Sequence, residues 1–262
     1  MGTPTLHYRT DGPVARLTID NPARRNAMTL DMWAALPELV RRAEADPEVR
    51  VILLRGAGEA AFCAGADITQ FSDKRSGEAR GRVYDGAVEA AQAALSAAGK
   101  PTVAYVRGVC FGGGVGIALS CDLRVAAADA RFRIPAARLG LGYAFANVEL
   151  VAGRIGASAA ADLLFTARTV DAEEARRLGI VGRVFGTEQA DAAVEELVAA
   201  IGGNAPLTLR AVKRALVELA RPAAERDTGA VDALLRACLD SEDYREGQAA
   251  FKEKREPRFR GV

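Results

Sequence analysis

The sequence predicts an α/β core followed by a helical C-terminal region. Apolar runs of strand length alternate with segments of helical period, glycine-rich turns separate them, and from about Thr187 the strand signals stop. In chain order, Val14-Ala15-Arg16-Leu17-Thr18-Ile19 alternates as a half-covered strand, while Val51-Ile52-Leu53-Leu54 is a continuous apolar run suited to a strand covered on both faces. Between them Thr29 is placed to cap a helix through Asp31, Trp33, Leu36, Leu39 and Val40. Pro37 interrupts that pattern by removing one backbone donor. Residues 101–106 repeat the strand signal, and residues 112–120 read as a helix entered through a glycine turn. Short strands follow at 123–126, 131–134 and 181–185, with an acid-led helix over 171–178, and the segment 70–85 reads as irregular. Helices are expected at 188–201, 207–220, 228–239 and 243–255. The organisation is therefore a core over residues 1–200 and a helical region over residues 201–262.

Composition narrows the function. A chain of 262 residues, half of them hydrophobic, can bury a full core. Lys and Arg (35) nearly balance Asp and Glu (34), so no global field draws in nucleic acid or an anionic membrane. The start shows no basic stretch followed by an apolar run, and no later stretch is long enough to span a bilayer without charge, so a cytoplasmic protein is expected. Cys63, Cys110, Cys121 and Cys238 have no Cys-x-x-Cys spacing, and His7 is the only histidine. A zinc site or a Ser-His-Asp triad lacks material, so no metal is expected and the cysteines read as reduced, buried thiols. Lys252-Glu253-Lys254-Arg255-Glu256 reads as a solvated helix end.

The chemistry-bearing segments are Phe62-Cys63-Ala64-Gly65-Ala66-Asp67-Ile68 and Gly108-Val109-Cys110-Phe111-Gly112-Gly113-Gly114-Val115-Gly116. Three glycines opening a helix leave backbone N–H groups unshielded at the end where the dipole favours negative charge, which suits an enolate or oxyanion. The Gly-x-Gly-x-x-Gly spacing of a dinucleotide site is missing, and no Walker lysine follows. Close backbone packing is the alternative reading of the same glycines.

The segments 62–68 and 108–122, with Arg24-Arg25-Asn26-Ala27-Met28, Leu163-Leu164-Phe165-Thr166-Ala167, residues 172–179 and Phe251-Lys252-Glu253-Lys254-Arg255, resemble the crotonase (enoyl-CoA hydratase/isomerase) superfamily in order and spacing over nearly the whole chain. The resemblance implies a spiral of ββα units with a C-terminal helical trimerisation region, assembled as a homotrimer or a dimer of trimers. It implies an acyl-CoA substrate and no cofactor beyond the coenzyme A that the substrate carries. By matched position, the N–H groups of Ala66 and Gly113 would polarise the thioester carbonyl and hold the enolate beside it. Arg25, Ala27, Ala64, Asp67 and Ile68 would lie along the nucleotide and pantetheine, with Phe251 and Lys254 completing that site from the C-terminal helix. Arg25 and Lys254 read equally as solvated surface cations, and Asp67 as a brace of its own loop.

The chain departs from the family pattern where hydratases carry two glutamates, since Gly116 and Ala136 occupy those positions. Neither transfers a proton, so two-carboxylate hydration cannot run in its usual form. Tyr143 matches a tyrosine of a methylmalonyl-CoA decarboxylase in the superfamily, although that enzyme carries a histidine where Ala66 stands here. Tyr143 also reads as a packed ring with a bonded hydroxyl. Asp73, Tyr84, Asp85 and Glu149 are the remaining titratable candidates. Three functions follow as expectations: an enolate-stabilising acyl-CoA enzyme of the hydratase/isomerase type, a decarboxylase of malonyl-type acyl-CoA using Tyr143, and a non-catalytic acyl-CoA binding protein.

Overall fold

In the computed structural model, residues 3–67 and 78–262 are described. The chain enters as an antiparallel hairpin, β1 (Thr5–Asp11) and β2 (Val14–Asp20), turning at Gly12 with φ +52°. Helix α1 (Leu30–Ala45) starts where expected, the Thr29 hydroxyl accepting from the Met32 N–H at 3.2 Å. Met32, Trp33, Leu36, Val40 and Ala43 form its buried face, and the helix runs through Pro37. Lys100 closes the other end, its ammonium donating to the carbonyls of Ala43 (2.7 Å) and Asp46 (2.5 Å), which satisfies acceptors that a helix C-terminus leaves open.

From there each turn of the chain gives one strand to each of two sheets and then a helix. Strands β3 (Val51–Gly56) and β4 (Ala61–Cys63) precede α2 (Glu78–Ala97); β5 (Thr102–Val106) and β6 (Val109–Phe111) precede α3 (Gly113–Ser120); β7 (Leu123–Ala127) and β8 (Arg131–Arg133) follow. After α4 (Phe145–Ile155) and α5 (Ala157–Thr166), β9 (Val170–Asp171), α6 (Ala172–Arg177) and β10 (Arg183–Phe185) complete the sheets. One sheet has the order β1-β2-β3-β5-β7-β10, parallel from β2 onward, and the other the order β4-β6-β8-β9. The chain thus winds as a spiral of ββα units. The unbroken apolar run in β3 fits its place, since β3 pairs on both sides and is covered on both faces.

The main core lies between the two sheets and around α1 and α3, with Trp33, Phe62, Phe132, Leu17 and Ile19 fully buried in it. A second core covers the outer face of the larger sheet, where Val194 and Val198 of α7 (Ala190–Gly203) meet Val51, Leu53 and Val103. Glu195 of α7 takes both guanidinium nitrogens of Arg16 at 2.7 and 2.6 Å. Helices α8 (Pro206–Leu219), α9 (Thr228–Asp240) and α10 (Glu242–Glu253) form the C-terminal region. Lys213 of α8, 3% exposed, ties that region to the core by donating to Asp122 at 2.6 Å, while the other Asp122 oxygen accepts from the N–H and hydroxyl of Thr102.

One expectation needs correction. Residues 78–85, read as irregular, form the first two turns of α2, because glycines at 81 and 86 mask a helical pattern that burial of Tyr84, Ala91 and Leu95 completes. Residues 70–77 lie outside the described residues. Among the described residues no helix is long and apolar enough to cross a membrane.

Candidate active site

The first wall is a turn that the sequence stiffens at two unusual positions. After a 3₁₀ turn over Pro22–Arg24, Arg25 (φ +51°) and Asn26 (φ +57°) both adopt left-handed backbone, a conformation that costs a non-glycine residue about 1–2 kcal/mol. Buried Asn26 offsets it, accepting from the Asn21 N–H (3.1 Å) and donating to the carbonyls of Ala57 (3.0 Å) and Ala61 (2.6 Å). The turn is thereby locked against the β3–β4 connection. It lays Met28 beside Ala66 as a parallel bridge, with Met28 N–H donating to Gly65 (2.8 Å) and Asp67 N–H to Met28 (2.9 Å). In that pattern the bonds go to the residues flanking Ala66. The Ala66 N–H points to the other side and meets no described acceptor.

The second wall is the start of α3. Gly112, at φ +51°, turns the chain out of β6, its own N–H held by the Arg133 carbonyl at 2.7 Å. The next N–H groups have no preceding turn to bond, and that of Gly113 meets no described acceptor. Glycine is required here for close approach: a Cβ on Gly113 would stand 3.0 Å from the Trp33 ring, and one on Gly114 2.3 Å from the Cys63 carbonyl oxygen. A Cβ on Gly65 would stand 3.3 Å from the Gly113 nitrogen, so the two walls touch. Close packing and an unshielded helix start, set out as rival readings of these glycines, are both present.

Both walls border one cavity of about 270 Å³. Ala64, Ala66, Gly113 and Tyr143 of the expected site residues line it, as does Ala136, which offers only a methyl group. Gly116 is buried in α3, and the position of its missing Cβ lies 2.3 Å from the Gln92 amide nitrogen. Tyr143 comes from the segment after the Ala136–Leu139 turn; burial pushes its hydroxyl up to about 12, and that hydroxyl bonds no described residue. At neutral pH it is therefore a proton donor and not a base. Tyr84 and Asp85 also line the cavity, and the Tyr84 hydroxyl is built into the scaffold, accepting from Trp33 Nε1 at 2.9 Å and donating to the Met28 carbonyl at 3.3 Å. Trp33, Gln92 and Asn147 line it too and were not singled out from the sequence.

The other expected residues lie elsewhere. Ala27, next to the locked turn, and Asp67, whose N–H meets the Met28 carbonyl, are buried and do not line the cavity, and Arg25 is exposed at the turn's tip, its carbonyl accepting from Ala64 N–H at 3.0 Å. Glu149 is exposed on α4 and does not reach the cavity, while Ile68 and Asp73 lie outside the described residues. Phe251, 86% exposed, borders a separate groove between α8, α9 and α10, and Lys254 is the left-handed cap of α10, so a single chain does not bring them to the cavity. All four cysteines are free; burial pushes Cys63 and Cys121 up to about 12 and Cys110 well above its ordinary value.

Residues 9–262 match the enoyl-CoA hydratase/isomerase family. A peroxisomal Delta(3,5)-Delta(2,4)-dienoyl-CoA isomerase of Arabidopsis thaliana is 33% identical over 97% of this chain and 95% of its own length. A short-chain-enoyl-CoA hydratase of Clostridium acetobutylicum is 32% identical over 94% of this chain and 93% of its own. Among solved structures, an enoyl-CoA hydratase/carnithine racemase from Magnetospirillum magneticum superposes with a TM-score of 0.93 at 32% identity, covering 100% of this chain and 97% of that one.

Proposed function

The chain belongs to the enoyl-CoA hydratase/isomerase family of the crotonase superfamily and is an enzyme of that family, and on that premise we propose that it binds an acyl-CoA thioester and stabilises its enolate. The observation that carries the proposal is the pair of backbone N–H groups, Ala66 and Gly113, that meet no acceptor among the described residues and border one cavity. A thioester oxygen placed between them gains negative charge as the enolate forms. Losing one such donor typically costs about 2.7–4 kcal/mol in the transition state. Arg25, Ala27, Ala64, Asp67 and Ile68 follow the nucleotide and pantetheine in this reading. Phe251 and Lys254 join the site only from a second copy of the chain, in keeping with a homotrimer or a dimer of trimers.

Gly116 and Ala136 stand where the family's hydratases carry glutamates, so hydration of crotonyl-CoA is expected to be slow or absent. The test is incubation of the purified protein with enoyl-, hydroxyacyl- and malonyl-CoA esters and identification of the products by mass. Hydration at the rate of ordinary hydratases would contradict the reading, and tight binding without any product would favour a non-catalytic acyl-CoA binder.

Tyr143 favours a second reading, decarboxylation of a malonyl-type ester. There the bond from the α-carbon to the carboxylate breaks, carbon dioxide leaves, and the electron pair passes into the thioester held by Ala66 and Gly113. The Tyr143 hydroxyl then protonates the α-carbon and recovers its proton from water. No strong base is needed.

A further inference from the structure

Among the polar side chains that line this cavity, Gln92 is the buried one that makes no hydrogen bond with a described residue. It sits on α2 with Asp85 and Val88 at spacings of three and four residues, and all three line the cavity from one helix face. Only 7% of Gln92 is exposed, yet its carboxamide forms no hydrogen bond with any described residue. Its amide faces the cavity and is bonded by no described residue, so its donor and acceptor are left to whatever enters there. Gly116 makes room for it: the Gln92 amide nitrogen lies 2.3 Å from where a Cβ at 116 would stand, so the amide occupies the space that a side chain from α3 would take.

We propose that Gln92 is a specificity-determining residue that hydrogen-bonds an uncharged oxygen, hydroxyl or carbonyl, on the β-carbon of the acyl chain. The assignment rests on the acyl-CoA reading above. Gly113 and Gly116 are one helical turn apart on α3, a rise of about 4.5 Å, which matches the reach from a thioester oxygen held at Gly113 to a substituent on the β-carbon. A neutral carboxamide offers both a donor and an acceptor, which suits a neutral oxygen. A carboxylate there would meet no cation among the described lining residues and would share the α2 face with Asp85.

The test compares the affinities of 3-hydroxybutyryl-CoA, both enantiomers, and butyryl-CoA by titration calorimetry on the full chain. The wild-type protein is expected to bind one hydroxy ester at least about fivefold more tightly than butyryl-CoA. Gln92→Leu is expected to erase that preference while leaving butyryl-CoA affinity within about twofold. Gly116→Ala, which keeps the amide but displaces it, is expected to weaken the preference without removing butyryl-CoA binding; it keeps the test decisive if Gln92→Leu does not fold. Equal wild-type affinity for the esters, or a preference that survives in Gln92→Leu or is unchanged in Gly116→Ala, overturns the role of Gln92 alone. Failure to bind either ester overturns the acyl-CoA reading, and this assignment with it.

Discussion

Tyr143 shows how burial at one residue limits the chemistry open to it. With its hydroxyl raised to about 12, it stays protonated through the neutral range and can only donate. If it protonates the enolate carbon, activity requires the protonated form and is lost only as pH rises through that raised value. The pH profile of kcat/KM should therefore show no tyrosine limb below about pH 11. Tyr143→Phe should lower turnover of a malonyl-type ester by about 10²–10⁴-fold without changing the profile's shape. Unchanged turnover in Tyr143→Phe would remove the residue from the chemistry. Asn26 is the counterpart that sequence reasoning passed over, although it stood inside a quoted motif. Its left-handed backbone and three side-chain bonds set the turn that aims Ala66.

At the scale of elements, Lys213 ties α8 to Asp122 at the start of β7, and Asp122 in turn holds Thr102 at the start of β5. Lys213 is almost wholly buried against Asp122, so Lys213→Met leaves a partly buried carboxylate without its cation. The expected loss is about 3 kcal/mol, read as a lower urea midpoint at unchanged slope. A midpoint within error of wild type would show that the bridge adds nothing. The sequence made the capped start of α1, the buried run of β3 and the four helices from α7 to α10 legible, because each carries a period or a cap of its own. It hid α2, whose alanine-rich stretch and two glycines blur the helical face, and with α2 it hid Gln92. The three-residue strands β4 and β6 are too short to show alternation; tertiary pairing defines them. In the proposed role Ala66 and Gly113 act through the backbone, so no side-chain pattern marks them; the glycine-led helix start pointed to Gly113, and the resemblance of whole segments to Ala66.

The whole molecule presents an apolar face that a lone chain would leave in water. Val212, Leu216, Leu219, Leu235, Leu239 and Phe251 of α8, α9 and α10 are each more than half exposed. Val212, Leu235, Leu239 and Phe251 border one groove, and exposed apolar surface of this kind marks an interaction site. A trimer or hexamer by light scattering is the expected state, and Leu239→Asp should shift it toward smaller species; a wild-type monomer would contradict that assembly. The spiral itself serves one geometric end, since the β4–α2 and β6–α3 crossings of adjacent turns bring Gly65 and Gly113 into contact. The central claim is that the two N–H groups there hold a thioester carbonyl. Infrared difference spectroscopy on the protein with butyryl-CoA carrying a ¹³C-labelled carbonyl tests it most directly. The account predicts a carbonyl stretch moved to lower frequency than in water, with the displacement reduced in Gly113→Ala, where the new Cβ presses on Trp33. A bound ester whose carbonyl absorbs as it does in water would contradict it.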